Sequence, residues 1–578
     1  MADPTADRQG PVSQPQSAVP PASSGARRVL GRVDLKHVGL GALIALAALF
    51  LYLVYMSAHV PGLTDPNAMD YAQIARHLAR GEGFTTSFIR PLSLAVVRNI
   101  SHHPELSFVP LHPLWMSLFF QLGGASYKMA AWSCGVAYLL TLPLVYLLAV
   151  RLFDRRVALL ALALYAVNYL SLEYACSGLE VSLATLVITA LVLLLYAYLS
   201  AATPSLVMAA LCGVGVAVAC LVKEVYAVLL LPVLVAVLLR RGERRWAEAM
   251  VSLAAFAVVM MPWAVRNAQV TGNPFFSLRS CELVSFTTTY KGQSPYRQYV
   301  TPPPAALPFM LKHPKEMWVK VRPVALSLYD AIPNLGGAFI AAFFIAGVFM
   351  RFREEALHAL RRWQYAAIIL VSMALCLLSA DARLLLPLSP LVVVLGAGVV
   401  LSLLDRLVES TQGLKQRRRL MRWSVAGLAA VCWFPVAAYI VSAQPQDTSP
   451  TDNVRRICAV LAQGKTQPIY TDQPWAVAWL GDLNAIWLPQ EETDLKQLEN
   501  AIGPVQYMLL SPALTQAAEE EGLTTWARVY GAGARGITLP YNRFVPTQNL
   551  GVSRDWVLYS RMAEGSEPEE SPEAAGGP

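Results

Sequence analysis

VGLGALIALAALFLYLVYM, residues 38–56, runs for nineteen residues without a charge. As a helix rising about 1.5 Å per residue, it matches the roughly 30 Å hydrocarbon core of a bilayer. A cleaved leader has a shorter apolar core and a small-residue cleavage site, so the segment predicts an uncleaved anchor. Arg27, Arg28, Arg32 and Lys36 precede it and predict a cytoplasmic N-terminus. Residues 1–26, rich in Pro, Ser, Ala and Gln, predict disorder, so 1–36 reads as a cytoplasmic tail.

Similar runs follow near 129–150, 157–173, 179–200, 205–221, 225–239, 247–265, 333–350, 363–380, 384–404 and 423–443. With the first, they predict eleven spans. Alternate connections carry Arg151, Arg155 and Arg156, then Arg240, Arg241, Arg244 and Arg245. Arg351, Arg353, Arg361 and Arg362 follow, then Lys415, Arg417, Arg418, Arg419 and Arg422. All fall on the cytoplasmic side of an eleven-span topology, as the positive-inside rule requires. Leu111–Leu122 is too short to cross and predicts an interfacial helix.

Composition agrees with this reading. Of 578 residues, 55% are hydrophobic and 15% charged, against roughly 25% charged in soluble domains. The net charge of +8 reflects basic loops between apolar runs, not a groove for nucleic acid. The eight cysteines contain no CxxC pair and most lie in apolar runs, so neither a disulfide framework nor a zinc knuckle is implied. The expected fold class is mainly α: a polytopic membrane protein with a small C-terminal α/β soluble domain. The transmembrane domain covers 37–443, with the active site expected in its outer loop 57–128. Residues 266–332 form a second outer piece. An extracytoplasmic α/β domain occupies 444–563, and 564–578 predicts a disordered tail. Within the α/β domain, Pro468–Thr471, Ala485–Leu488 and Gln506–Leu510 read as strands. Asn453–Gln463 and Leu495–Ile502 read as helices.

Polar chemistry gathers in the first outer loop. His59, His77, His102, His103 and His112 lie there or at its exit, with Asp65, Asp70, Glu82 and Glu105. Asp65-Pro66 is an N-cap followed by a first-turn proline, and Gly81 stops the helix. Asp70 then sits on a short helix against the outer face. Capping alone explains Asp65, and a solvated helix face alone would explain Asp70. The His102-His103 pair could bind metal, although adjacent side chains rarely aim at one ion. Glu173, Glu180, Lys223, Glu224, Arg266, Asp381 and Arg383 mark outer ends of spans. Ionisable groups there are functional candidates, and snorkelling at a span end is the simpler explanation of each one singly.

These residues resemble the GT-C superfamily of integral-membrane glycosyltransferases, in particular family 39-like and dolichyl-phosphate-mannose-protein mannosyltransferase-like bacterial proteins. Asp65–Phe84 is similar to the family's acidic first-loop segment. Val109-Pro110-Leu111-His112-Pro113-Leu114-Trp115, with Leu122-Gly123, is similar to its Pro-rich interfacial helix. Ser177-Gly178-Leu179-Glu180 resembles a segment before a span. Pro262-Trp263-Ala264-Val265-Arg266-Asn267 and Thr271-Gly272-Asn273-Pro274-Phe275 resemble the exit of a middle span. Asp381-Ala382-Arg383-Leu384-Leu385-Leu386-Pro387 resembles a late motif, with Leu384 where Tyr is usual. The likeness covers about 35–443, and the first-loop acids are five apart rather than adjacent.

The resemblance implies inverting transfer of a sugar from a polyprenyl-phosphate donor to a lipid, glycan or protein acceptor at the outer face of the membrane. Asp70 is the implied general base, with Asp65 the second candidate catalytic carboxylate. Lys223, Arg266 and Arg383 are candidates for the lipid phosphate, and Glu180, His102 and His103 for other substrate contacts. No cofactor or required metal is expected. The implied location is a bacterial inner membrane. The alternative is a polytopic transporter or lipid flippase without transferase activity; clustering of the polar residues at one face, with no internal repeat, favours an interfacial enzyme.

Overall fold

A computed structural model describes residues 35–240, 242–337, 339–349, 354–409, 413–442, 449–462, 468–535, 537, 544–547 and 556–561. Residues 1–34 of the expected N-terminal tail and all of the expected tail 564–578 lie outside the described residues.

Helix α1 (Leu35–His59) contains the opening apolar run. Its Leu40, Leu43, Leu46 and Phe50 are exposed while Ala48 and Tyr52 are buried, the pattern of a peripheral span facing lipid. The chain is mainly helical, and each of the eleven apolar runs falls wholly or largely on helix. Among the described residues, six helices are long and apolar enough to cross a membrane, or seven if one bent pair counts as a span.

Several of the runs are interrupted or shortened locally. The run 157–173 divides into Arg155–Ala166 and Tyr169–Cys176, bent by 54°. Asn168 restarts the helix there, its side chain accepting from the N–H groups of Leu170 and Ser171. Leu206–Val222, Glu224–Leu239 and Ile340–Phe349 are shorter apolar helices. The run 333–350 loses its first turns to Pro333 and to the Gly336-Gly337 pair. At the centre, Ala382–Val408 is buried along its whole apolar window. Leu206–Val222 lies against Arg245–Thr271 so closely that a Cβ on Gly213 would meet the Ser252 carbonyl oxygen at 1.9 Å.

Among the described residues, basic connections meet at one end of the bundle. Arg156 pairs with Asp405 at 3.2 Å, and Tyr196 donates to the Arg151 carbonyl. At the other end lie the long loops. The helix Leu111–Gly123 has only thirteen residues, too few to cross, and exposes Leu114, Leu118 and Leu122 in one row.

The C-terminal region is α/β, with strands where the sequence predicts them: β2 (Ile469–Thr471), β3 (Ala485–Trp487) and β4 (Tyr507–Leu510). β5 (Phe544–Pro546) and β6 (Val557–Arg561) complete it on one side. The other side is completed from the first loop by β1 (Phe88–Ile89), giving the order β1-β3-β2-β4-β6-β5. β1, β3, β2 and β4 are parallel, whereas β6 is antiparallel to both β4 and β5. Loop and domain therefore share one sheet.

Helix α2 (Pro66–Ala79) strengthens the joint. Arg76 donates to the carbonyls of Trp479 at 2.8 Å and Ala478 at 2.6 Å, and Arg76 and Arg80 both pair with Asp482 at 2.8 Å. Phe120 stacks on Trp479 with ring centroids 6.0 Å apart.

Candidate active site

α2 begins as the sequence predicts. The Asp65 carboxylate accepts from the N–H groups of Asn67 and Ala68, and Pro66 occupies the first turn. One turn further on, Asp70 is 2% exposed and lines a cavity of about 280 Å3. A solvated helix face is therefore not its setting. Arg90, the residue after β1, places its guanidinium 2.7 Å from one Asp70 carboxylate oxygen. The other oxygen accepts from Gln73 at 2.9 Å. Gln73 is itself fixed, since it donates to Thr86 and accepts from the Ser87 N–H. Burial pushes Asp70 up to about 6 against the pull of Arg90, and nearby Glu105 adds to the rise.

Glu105 is fully buried and accepts from the N–H groups of Ser107 and Phe108. It lies 3.9 Å from one terminal nitrogen of the Arg90 guanidinium, whose other terminal nitrogen holds Asp70. The remaining cavity wall comes from two distant segments. Arg279, Glu282, Tyr296 and Arg297 belong to the second long loop, and Trp475, Trp487 and Glu521 to the α/β domain. Arg279 pairs with Glu282 at 3.3 Å, and Arg297 with Glu521 at 2.7 Å.

A second polar cluster lies behind Tyr71 and Phe108, whose ring centroids are 4.4 Å apart. Lys223 pairs with Glu180 at 2.9 Å and donates to the Tyr71 hydroxyl at 3.2 Å. Lys223 Nζ is 5.5 Å from the Phe108 ring and the Arg279 guanidinium 4.8 Å from it, so this ring lies close to both clusters. Arg383 pairs with Asp65 at 2.8 Å, giving the capping carboxylate a second partner. Gly178, at φ +78°, turns the chain so that its carbonyl faces His112 at 3.1 Å.

The sequence-predicted residues thus separate. Asp70 lies in the cavity, whereas Asp65 caps α2 and holds Arg383, so the two acids form no joint carboxylate pair. Glu180 and Lys223 neutralise each other. Arg266 bonds the neutral Asn267 side chain at 3.2 Å and stands over the rings of Trp263 and Phe84. His102 is exposed. His103 is buried, with one ring nitrogen on the Asn99 carbonyl and the other on the Ser93 hydroxyl, so both nitrogens are engaged by the protein. Among the described residues, no three His, Cys, Asp or Glu side chains converge as a metal site. Arg90, Arg279, Arg297, Trp475 and Trp487 escaped the sequence reading; Arg90 stands twenty residues from Asp70 in the same loop, and the other four far along the chain in mixed segments. A larger cavity of about 640 Å3 lies at the basic end of the bundle, lined by Leu231, Val235, Trp363 and Ile369 among others. Its walls are mostly apolar, with Arg240, Glu355 and Arg362 among them, and Asp70 takes no part in it.

The family described as dolichyl-phosphate-mannose-protein mannosyltransferase matches residues 102–265. The fold is similar to that of ArnT from Cupriavidus metallidurans bound to undecaprenyl phosphate. There the TM-score is 0.53 at 14% identity, over 93% of this chain and 100% of that one. It is also similar to the apo oligosaccharyltransferase of Archaeoglobus fulgidus, with TM-score 0.52 at 13% identity over 86% and 73% of the two chains. The same enzyme tethered to an acceptor peptide matches with TM-score 0.52 at 13% identity, over 92% and 74%. No curated protein sequence matches. The chain is an integral-membrane protein with the fold of these glycosyltransferases, and its residues 102–265 match the mannosyltransferase family.

Proposed function

We propose that this chain is an inverting glycosyltransferase that moves a sugar from a polyprenyl-phosphate donor to an acceptor hydroxyl or amine, with Asp70 as general base. The observation that carries this reading is Asp70 itself: a carboxylate on a rigid helix, buried beside a cavity and oriented by Arg90 and Gln73. Its upward shift to about 6 suits a base working near neutral pH. The acceptor attacks the anomeric carbon and gives its proton to Asp70. The bond from that carbon to the phosphate oxygen breaks, and its electron pair leaves with the lipid phosphate. A single displacement inverts the anomeric centre.

The leaving phosphate needs a cation. Arg266 is the best placed of the three candidates, because its hydrogen bond goes to a neutral amide while Lys223 and Arg383 are paired with acids. Its guanidinium stands over the Phe84 ring, beside the cavity rather than in its lining, and the Phe84 carbonyl accepts from the Glu105 N–H at 3.1 Å. Fixed arginines can stabilise this charge without a divalent metal, and none is required in this scheme. The site faces the outer side of the membrane, as the basic connections at the opposite end suggest.

The test is transfer in proteoliposomes from radiolabelled polyprenyl-phosphate sugars. Asp70→Asn should retain donor binding and lose about 10²–10⁴ in rate. Transfer should survive EDTA. No transfer by the wild type from any donor, or loss with EDTA and rescue by Mg²⁺ or Mn²⁺, would overturn the corresponding part of the reading.

A further inference from the structure

The wall of the cavity opposite Asp70 is made by segments that sequence reasoning assigned no role. It has three properties that together define what can occupy it. First, its charges balance. Arg90, Arg279 and Arg297 face Asp70, Glu282 and Glu521, three cations against three anions. Each cation has its acid within 3.3 Å. A ligand bringing its own charge into this space would leave one charge uncompensated, at a cost of several kcal/mol.

Second, buried donors there have no partner. Arg279 Nε, Arg297 Nε, the Tyr296 hydroxyl and the Trp487 indole N–H have no hydrogen bond. Trp487 and Arg297 are each only 3% exposed, and Tyr296 is 5% exposed. Buried donors of this kind are normally satisfied, and with almost no surface of their own these would take an acceptor oxygen only from a group pressed directly against the wall. Third, the wall is aromatic. Trp475 stands edge-on to both Phe88 and Trp487, at 6.0 and 6.1 Å between centroids. Arg297 covers one face of Trp487 at 4.3 Å, leaving Trp475, which is only half-buried, as the aromatic surface for a ligand.

Trp475 follows β2 and Trp487 ends β3, so both stand at the C-terminal ends of parallel strands. That edge of an α/β sheet is where ligands bind in open parallel sheets. The volume of about 280 Å3 is just below the roughly 300–1,000 Å3 of drug-sized sites, which leaves room for one small ring.

We infer that the C-terminal α/β domain supplies the sugar subsite, with Trp475 as its platform and the Trp487 N–H as a hydroxyl-directed donor, and that this subsite selects an uncharged sugar. This rests on the transferase reading above and adds to it the class of group transferred. A neutral polyol fits each property: its oxygens accept from the unpaired donors, its hydroxyls reach the glutamates, and its C–H face packs on the indole.

The test measures binding to the full chain in nanodiscs by competition with radiolabelled undecaprenyl phosphate. The competitors are bare polyprenyl phosphate and its conjugates with a neutral hexose, the matching amino sugar and the matching uronate. The wild type should bind the neutral conjugate about ten-fold more tightly than the bare lipid, the scale of one aromatic contact plus a hydrogen bond. The charged conjugates should gain nothing. Trp475→Ala should abolish the ten-fold gain while binding bare lipid as the wild type does. Trp487→Phe, which keeps a ring in place, should lose about three-fold of the gain. Preference for a charged conjugate, or an undiminished gain in Trp475→Ala, would overturn the inference and leave the transferase reading standing. If neither bare nor conjugated polyprenyl phosphate binds the wild type, both fall.

Discussion

Asp70 is held between opposing influences. Burial disfavours its charge, Arg90 favours it, and the balance leaves the carboxyl near 6 rather than near 4. The sign of the pH effect follows. A raised carboxyl stabilises the fold fully below about 4, and that contribution fades as pH rises through 6. Activity runs the other way, because only the ionised form accepts a proton. Transfer should therefore fall about ten-fold between pH 7 and pH 5, with a half-maximum near 6. A rate profile that is flat from pH 5 to 7.5, with donor binding constant, would show that Asp70 is not the base. At this scale the sequence was informative where chemistry is local. The N-cap Asp65, the first-turn Pro66 and the break after Ala79 follow from neighbouring residues, and all are found. Arg90 could not be found that way. It lies twenty residues from Asp70, and only pairing of β1 with β3 brings it there.

Elements were legible when their periodicity was strong. The apolar runs, the short interfacial helix and three strands of the α/β domain are where alternation and run length put them. A run of apolar residues does not reveal a break such as the one at Asn168. The two-residue strand β1 gave no periodic signal at all. Close helix contacts are equally silent in sequence, and Gly213 is the clearest case. Any side chain there meets the Ser252 backbone, which cannot rotate away. Gly213→Val should separate Leu206–Val222 from Arg245–Thr271 and cost about 1–3 kcal/mol or more. Thermal unfolding in detergent should then show a clearly lower midpoint, and an unchanged midpoint would mean that these helices do not pack as described.

For the whole molecule, the α/β domain is no appendage. It shares a sheet with the first loop, receives Arg76 and Arg80 from α2, and contributes Trp475, Trp487 and Glu521 to the cavity. The sequence placed an active-site loop and a soluble domain side by side as separate units; long-range pairing makes them one. A chain truncated after Ala443 keeps Asp70 and every apolar run. It should still accumulate in membranes, yet transfer should fall below a hundredth of wild type in the proteoliposome assay. Retention of more than a tenth would mean that the loop holds its geometry alone.

The mixed sheet also sets a schedule. Phe88 pairs with Ala485, roughly four hundred residues later in the chain. At about 5–20 residues per second, the ribosome leaves β1 without its neighbour for about 20–80 s. During that interval Arg90 has no strand to hold it in line with Asp70, so a nascent chain already threaded through the bilayer carries its carboxylate but not its finished site. On the transferase reading, competence would arrive only once β3 is made, and a chain cut short before residue 485 would be inert rather than half-active.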